Sequence, residues 1–189
     1  MKKILLIALV ATMALASTAC SSSDNNTSKP VTGSIEATTE TPTEEPTVAE
    51  LQAQKPGNYI EQDNLKITLE KAVQYDKIES DYISDEPDAG KKYLVLFMEA
   101  ENISDEDQYI NMFYTQAYVD DYEVEQDALI VEPEGYGMFS GDLAPGKKLK
   151  GYVCYQVDPD WKSLEFTYTD GILDTSATYD FIVTPDDLT

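Results

Sequence analysis

Tyr93-Leu94-Val95-Leu96-Phe97-Met98 is the stretch whose reading decides the fold. Side chains on a strand point alternately to opposite faces, and every position here is apolar, so both faces want apolar company. That pattern suits a strand in the middle of a sheet. Glu99 and Glu101 then bring one face back to water.

The pattern continues outward in both directions. Leu65, Ile67, Leu69 and Val73 alternate with polar residues, as a half-buried strand does. Tyr109 to Val119 is the next candidate strand, with Phe113, Thr115, Ala117 and Val119 on one side. Asp120-Asp121 signals a turn, and Tyr122 to Val131 is expected to return as the hairpin partner. In Leu143-Ala144-Pro145-Gly146 the proline presets φ and the glycine allows φ > 0, which makes a tight turn. The turn leads into Gly151-Tyr152-Val153-Cys154-Tyr155-Gln156-Val157, where Tyr152 and Tyr155 face opposite ways. Ser163 to Thr169 and Ala177 to Val183 complete the strands, split by Thr169-Asp170-Gly171. Short helices or turns fit Asp158 to Lys162 and Glu132 to Phe139. Seven or eight strands at this spacing predict an all-β antiparallel sandwich over residues 58–189.

The other end of the chain carries an address. Met1-Lys2-Lys3 precedes an apolar run from Ile4 to Ala19, which stops at Cys20 and Ser21-Ser22-Ser23-Asp24. A basic start, a short apolar stretch and small residues ahead of the cut are the anatomy of a secretory signal. With cysteine directly after Ser17-Thr18-Ala19, residues 1–19 resemble a bacterial lipoprotein signal, although Ser17 stands where that signal prefers Leu. The resemblance implies that Cys20 receives a diacylglyceryl group and becomes the mature N-terminus. The rivals are a plain signal cut near Ala19 and an uncleaved helix. The apolar run falls short of the roughly 20 residues needed to cross hydrocarbon. A diacylglyceryl cysteine supplies two acyl chains, enough for stable anchoring. This placement is extracytoplasmic, on the outer face of the cell membrane. Residues 20–57 are rich in Ser, Thr, Pro, Glu and Asn, and TTETPTEEPT (Thr38 to Thr47) is typical spacer. The expectation there is a disordered tether.

Composition removes whole classes of chemistry. The chain has no His, and all 13 basic residues are Lys. It therefore has no Ser-His-Asp triad, no Cys-His pair, no imidazole zinc site and no arginine clamp for phosphate. Loss of residues 1–19 removes two lysines and no acid, leaving 11 basic against 36 acidic side chains, a formal charge of −25. Such a chain repels nucleic acid and anionic headgroups and attracts cations or basic partners. With Cys20 lipidated, Cys154 has no disulfide partner and reads as a small core residue.

Three landmarks resemble an uncharacterised telokin-like, immunoglobulin-like domain of secreted Gram-positive lipoproteins. They are Gly90-Lys91-Lys92-Tyr93-Leu94-Val95, Glu101-Asn102-Ile103-Ser104-Asp105-Glu106, and Leu143-Ala144-Pro145-Gly146-Lys147 leading to Gly151 through Val157. Tyr155 stands where the family usually has Phe. The likeness covers about residues 58 to 184. It implies a two-sheet sandwich outside the membrane and supplies no catalytic, cofactor or ligand residues.

The acids are the remaining candidates for chemistry. Asp121, Glu123, Glu125 and Asp127 alternate, so on one strand they would share a face about 7 Å apart. Asp85-Glu86-Pro87-Asp88 and Asp105-Glu106-Asp107 add oxygen ligands of the kind Ca²⁺ accepts. No EF-hand spacing is present, and a solvated acidic surface accounts for the row equally well. Paired carboxylates also serve glycoside hydrolysis, but with so many acids close pairs arise by chance. Thirteen tyrosines and Trp161 fit either a core or a stacking platform. The sequence thus reads as a lipid-anchored, non-enzymatic binding or scaffolding module with an unknown protein or cell-wall partner. A Ca²⁺-responsive domain and a two-carboxylate hydrolase are the alternatives.

Overall fold

The computed structural model describes residues 31–34, 53–171 and 177–189. Its strands are β1 (Val31–Ser34), β2 (Asn58–Gln62), β3 (Leu65–Tyr75), β4 (Ile78–Glu79), β5 (Ser84–Asp85), β6 (Lys92–Asn102) and β7 (Gln108–Ile110). They continue with β8 (Thr115–Val119), β9 (Tyr122–Glu123), β10 (Gly137–Met138), β11 (Gly141–Leu143), β12 (Lys148–Val157), β13 (Leu164–Asp170) and β14 (Ala177–Val183). One sheet runs β1-β2-β3-β6-β12-β10 and faces a second, β14-β13-β8-β9. The result is an immunoglobulin-like β-sandwich, antiparallel except where β10 runs parallel to β12. The signal at residues 1–19 and Cys20 lie outside the described residues. Among the described residues no helix is long and apolar enough to cross a membrane.

The central stretch is central. β6 lies between β3 and β12. Leu94, Leu96 and Met98 face the inter-sheet core with Val153, Tyr155, Phe166, Tyr179 and Phe181. Tyr93, Val95 and Phe97 point the other way, into a second apolar cluster with Ile78, Tyr152 and Cys154. Leu129, Val131 and Tyr136 cover that outer cluster. A strand buried on both faces needs a lid, and here an irregular strap supplies it. Asp85 fastens the strap: its carboxylate accepts from the backbone N–H groups of Ile130 (2.8 Å) and Val131 (2.6 Å).

The family landmarks meet in space. Asn102 is fully buried and donates from Nδ2 to the carbonyls of Glu106 and Leu143, each at 2.7 Å. Its Oδ1 accepts from the Ser104 backbone N–H (2.9 Å) and hydroxyl (2.8 Å). The Asn-x-Ser turn and the Ala144-Pro145-Gly146-Lys147 turn thus share one organiser. Gly146 has φ +67, and Lys147 N–H closes the turn on Ala144 O at 3.0 Å. Gly151 is needed for a different reason: a Cβ there would sit 2.4 Å from Cα of Phe139.

Several expectations need correction. The stretch 20–57 contains strand β1, which pairs with β2 from Val31↔Glu61 to Ser34↔Asn58. Gly33 permits this, because a Cβ would meet the Tyr59 ring. Gln54 also joins the fold, with its N–H on Asp180 O and its carbonyl receiving Ile182 N–H, both at 2.8 Å. Val73 lies on the face opposite Leu69, because the β3–β6 register shifts between Leu69 and Lys71 and reverses the alternation. The strand expected over 109–119 breaks at Asn111, whose side-chain oxygen caps a 3-10 turn, Met112–Tyr114, and leaves Phe113 exposed. The Asp120-Asp121 turn forms, both residues at positive φ. Its return strand, however, ends at Glu123. After Val124 the chain crosses to the larger sheet, where Gln126 bridges Tyr155 and Asp127 N–H donates to Cys154 O at 2.8 Å.

Candidate functional site

That crossing opens a cleft. It lies where the β9 edge of one sheet and the β10 edge of the other approach, and its volume is about 960 Å³. The 3-10 turn and β7 place Phe113 and Tyr109 at its mouth, opposite Met138 of β10. Phe113 is 82% exposed, Tyr109 54% and Met138 50%. Large apolar groups left in water around one concavity are characteristic of a binding surface.

The cleft wall is held by Gln126, whose Nε2 donates to Met112 O at 2.8 Å and to the Thr115 hydroxyl. Gln126 Oε1 is buried with no hydrogen-bond partner among the described residues. Tyr155, a cleft residue only 1% exposed, brings its hydroxyl beside Thr115 and Gln126 without forming a well-aligned bond to either. Burial raises its pKa despite these neighbours, so the hydroxyl stays a neutral donor. Two buried polar atoms lacking partners in one wall are uncommon and costly.

The four acids of the expected metal row are dispersed. Asp121 sits in the hairpin turn, and Glu123 on the edge strand accepts weakly from Gln116 (3.4 Å). Glu125 lies on the crossing segment, and Asp127 accepts from the Gln156 side chain. The row fails because β9 is two residues long, so no common strand face carries all four. Glu123, Glu125 and Asp127 still line the cleft. Among the described residues no three His, Cys, Asp or Glu side chains converge as a metal site. Asp85 of the second acidic cluster is engaged by the strap.

Cys154 is 1% exposed in the outer apolar cluster. Burial, helped by the charges of Asp127 and Asp85, pushes its thiol far up, so it stays protonated and inert. Trp161 is committed to the core, its indole N–H donating to Gln74 Oε1 at 2.9 Å. What the sequence did not disclose is the cleft. Its only advance signal is Asn111, a good cap in the middle of an apparent strand.

The fold is shared with proteins of solved structure. yjhA of Bacillus subtilis superposes with a TM-score of 0.54 at 18% identity, covering 68% of this chain and 97% of its own. ycdA of Bacillus subtilis subsp. subtilis str. 168, provisionally classed as a lipoprotein, gives 0.49 at 17% identity over 66% of this chain. The match spans only 38% of that longer protein. An uncharacterised β-sandwich protein of Clostridium difficile 630 gives 0.47 at 17% identity, covering 74% of this chain and all of its own. No curated protein matches the sequence significantly. The family pattern named domain of unknown function DUF4352 matches residues 55–178, from just before β2 to the start of β14, and the chain belongs to that family.

Proposed function

We propose that this protein is a lipid-anchored binding module of the extracytoplasmic envelope and that its cleft is where the ligand is held. The cleft carries the reading: three large apolar side chains stand half or more exposed around one concavity whose wall contains two unsatisfied polar atoms. The N-terminal sequence supports the placement, since Cys20 follows a basic and apolar leader. A binding role is favoured over hydrolysis because Glu123 and Glu125 at the cleft are both exposed, and the third cleft acid, the half-buried Asp127, is engaged by the Gln156 side chain. A two-carboxylate mechanism needs one acid buried enough to keep its proton.

Photo-crosslinking tests the site in intact envelopes. A photoreactive residue at position 113 is expected to give a discrete adduct that the same residue at exposed position 81 does not. Equal labelling from both positions would remove the cleft from consideration. The anchor is tested separately by Cys20→Ser, which should move the native protein from the detergent phase to the aqueous phase. An unchanged partition would refute lipidation.

A further inference from the structure

We infer that the cleft is specific for a cationic amphipathic peptide segment, an apolar or aromatic side chain flanked by lysine or arginine. This rests on the binding reading above and adds the chemistry of the ligand. Charge is the first ground. Glu123, Glu125 and Asp127 line the cleft; among the described residues no lysine does, and Lys91, in the adjoining pocket that shares Glu125 and Asp127, is paired with Asp158 at 2.8 Å. None of the three belongs to an ion pair among the described residues, whereas the acids beside β12 are paired with Lys148 and Lys150. Unneutralised acids at a concave apolar surface focus a negative potential and favour a cation there.

Shape is the second ground. Phe113 and Tyr109 offer flat, rigid surface at the mouth and Met138 an adaptable one. Together they suit an apolar side chain, with charges on either side reaching Glu123 and Glu125. The third ground is the wall. Among the described residues the buried Tyr155 hydroxyl lacks an acceptor and Gln126 Oε1 lacks a donor. A peptide group supplies one of each, carbonyl to Tyr155 and N–H to Gln126, once the wall side chains shift to admit it, since neither atom touches solvent. Anionic polymers and acidic peptides are excluded by the same charge. The chain's own segment 36–47, with Glu36, Glu40, Glu44 and Glu45 and no lysine, is a poor occupant for that reason.

The test uses the mature chain and fluorescein-labelled hexapeptides that alternate phenylalanine with lysine, with glutamine or with glutamate, read by anisotropy. The lysine probe should bind and the glutamate probe should not. Glu123→Gln with Glu125→Gln should weaken the lysine probe by about fivefold or more, and Phe113→Ser by a similar factor. Asp105→Asn with Glu106→Gln, an equal charge change at an exposed turn, should alter binding by less than about twofold. All these positions are exposed, so far-UV spectra should be unchanged. If the turn control weakens binding as much as the cleft pair, the attraction is only that of the whole acidic surface and the inference fails. If the glutamine probe binds as well as the lysine probe and depends on Phe113, the cleft binds ligand but the cationic class is wrong. If no probe responds to Phe113→Ser, both this inference and the cleft reading fall.

Discussion

Asn102 and the pair Tyr155–Gln126 are both buried polar groups in the same sandwich, and their circumstances are opposite. Asn102 spends two donors and one acceptor on four bonds that tie β6 to two turns. The Tyr155 hydroxyl and Gln126 Oε1 have no good partner between them among the described residues. Burial alone therefore does not reveal what a polar group is for. A fully satisfied one holds the fold; an unsatisfied one beside a cleft is available to something that arrives later.

The contrast can be broken or sharpened by substitution. Asn102→Ala strands several buried partners at once and should cost about 3–4 kcal/mol in urea unfolding. A loss below about 1 kcal/mol would mean the corner is held by its backbone alone. Gly151→Ala drives a methyl into the Phe139 backbone and should cost about 2–3 kcal/mol, a loss from close packing alone to set beside the loss of hydrogen bonds at Asn102. Asp170 is intermediate between the two polar cases. Burial, and then the charge of Asp63, raise its carboxyl pKa. Its favourable contribution is full below the ordinary carboxylate range and is lost as pH rises through the raised folded value. Asp170→Asn should therefore raise stability at pH 7 by less than about 1 kcal/mol after solvent screening, and the gain should vanish toward pH 3. A melting-temperature series against pH reads this directly. Tyr155→Phe is the smallest effect expected: it removes no well-formed bond, so stability should stay within about 0.5 kcal/mol or rise. A loss of 2 kcal/mol would show that the hydroxyl is satisfied after all and would abolish the contrast.

Much of the sandwich was legible in the residues. The unbroken apolar run at Tyr93 to Met98 announced a strand buried on both faces, and β6 is one. The Asp120-Asp121 and Pro145-Gly146 turns were readable because their backbones demand those residue types. Alternation failed where tertiary events reset it. The register shift after Leu69 turned Val73 to the other face, and the cap at Asn111 swung Phe113 out of its strand. Nothing local marks either event as strongly as a glycine or proline would. The cleft was illegible for the same reason: it forms where the chain changes sheets after Val124, and sheet choice is decided by contacts far apart in sequence. Tyr155 in place of the family's usual Phe was visible, but that its hydroxyl would lack a partner was not.

Strand β1 limits how far the sandwich can stand from residue 20. If Cys20 carries the lipid, the leash is not the 37 residues of residues 21–57 but the ten between Cys20 and Val31, because Val31 is already stitched to Glu61. Fully drawn out, that leash reaches less than about 40 Å. The cleft would then patrol only a thin zone next to the bilayer, and a binding partner would have to come down to it.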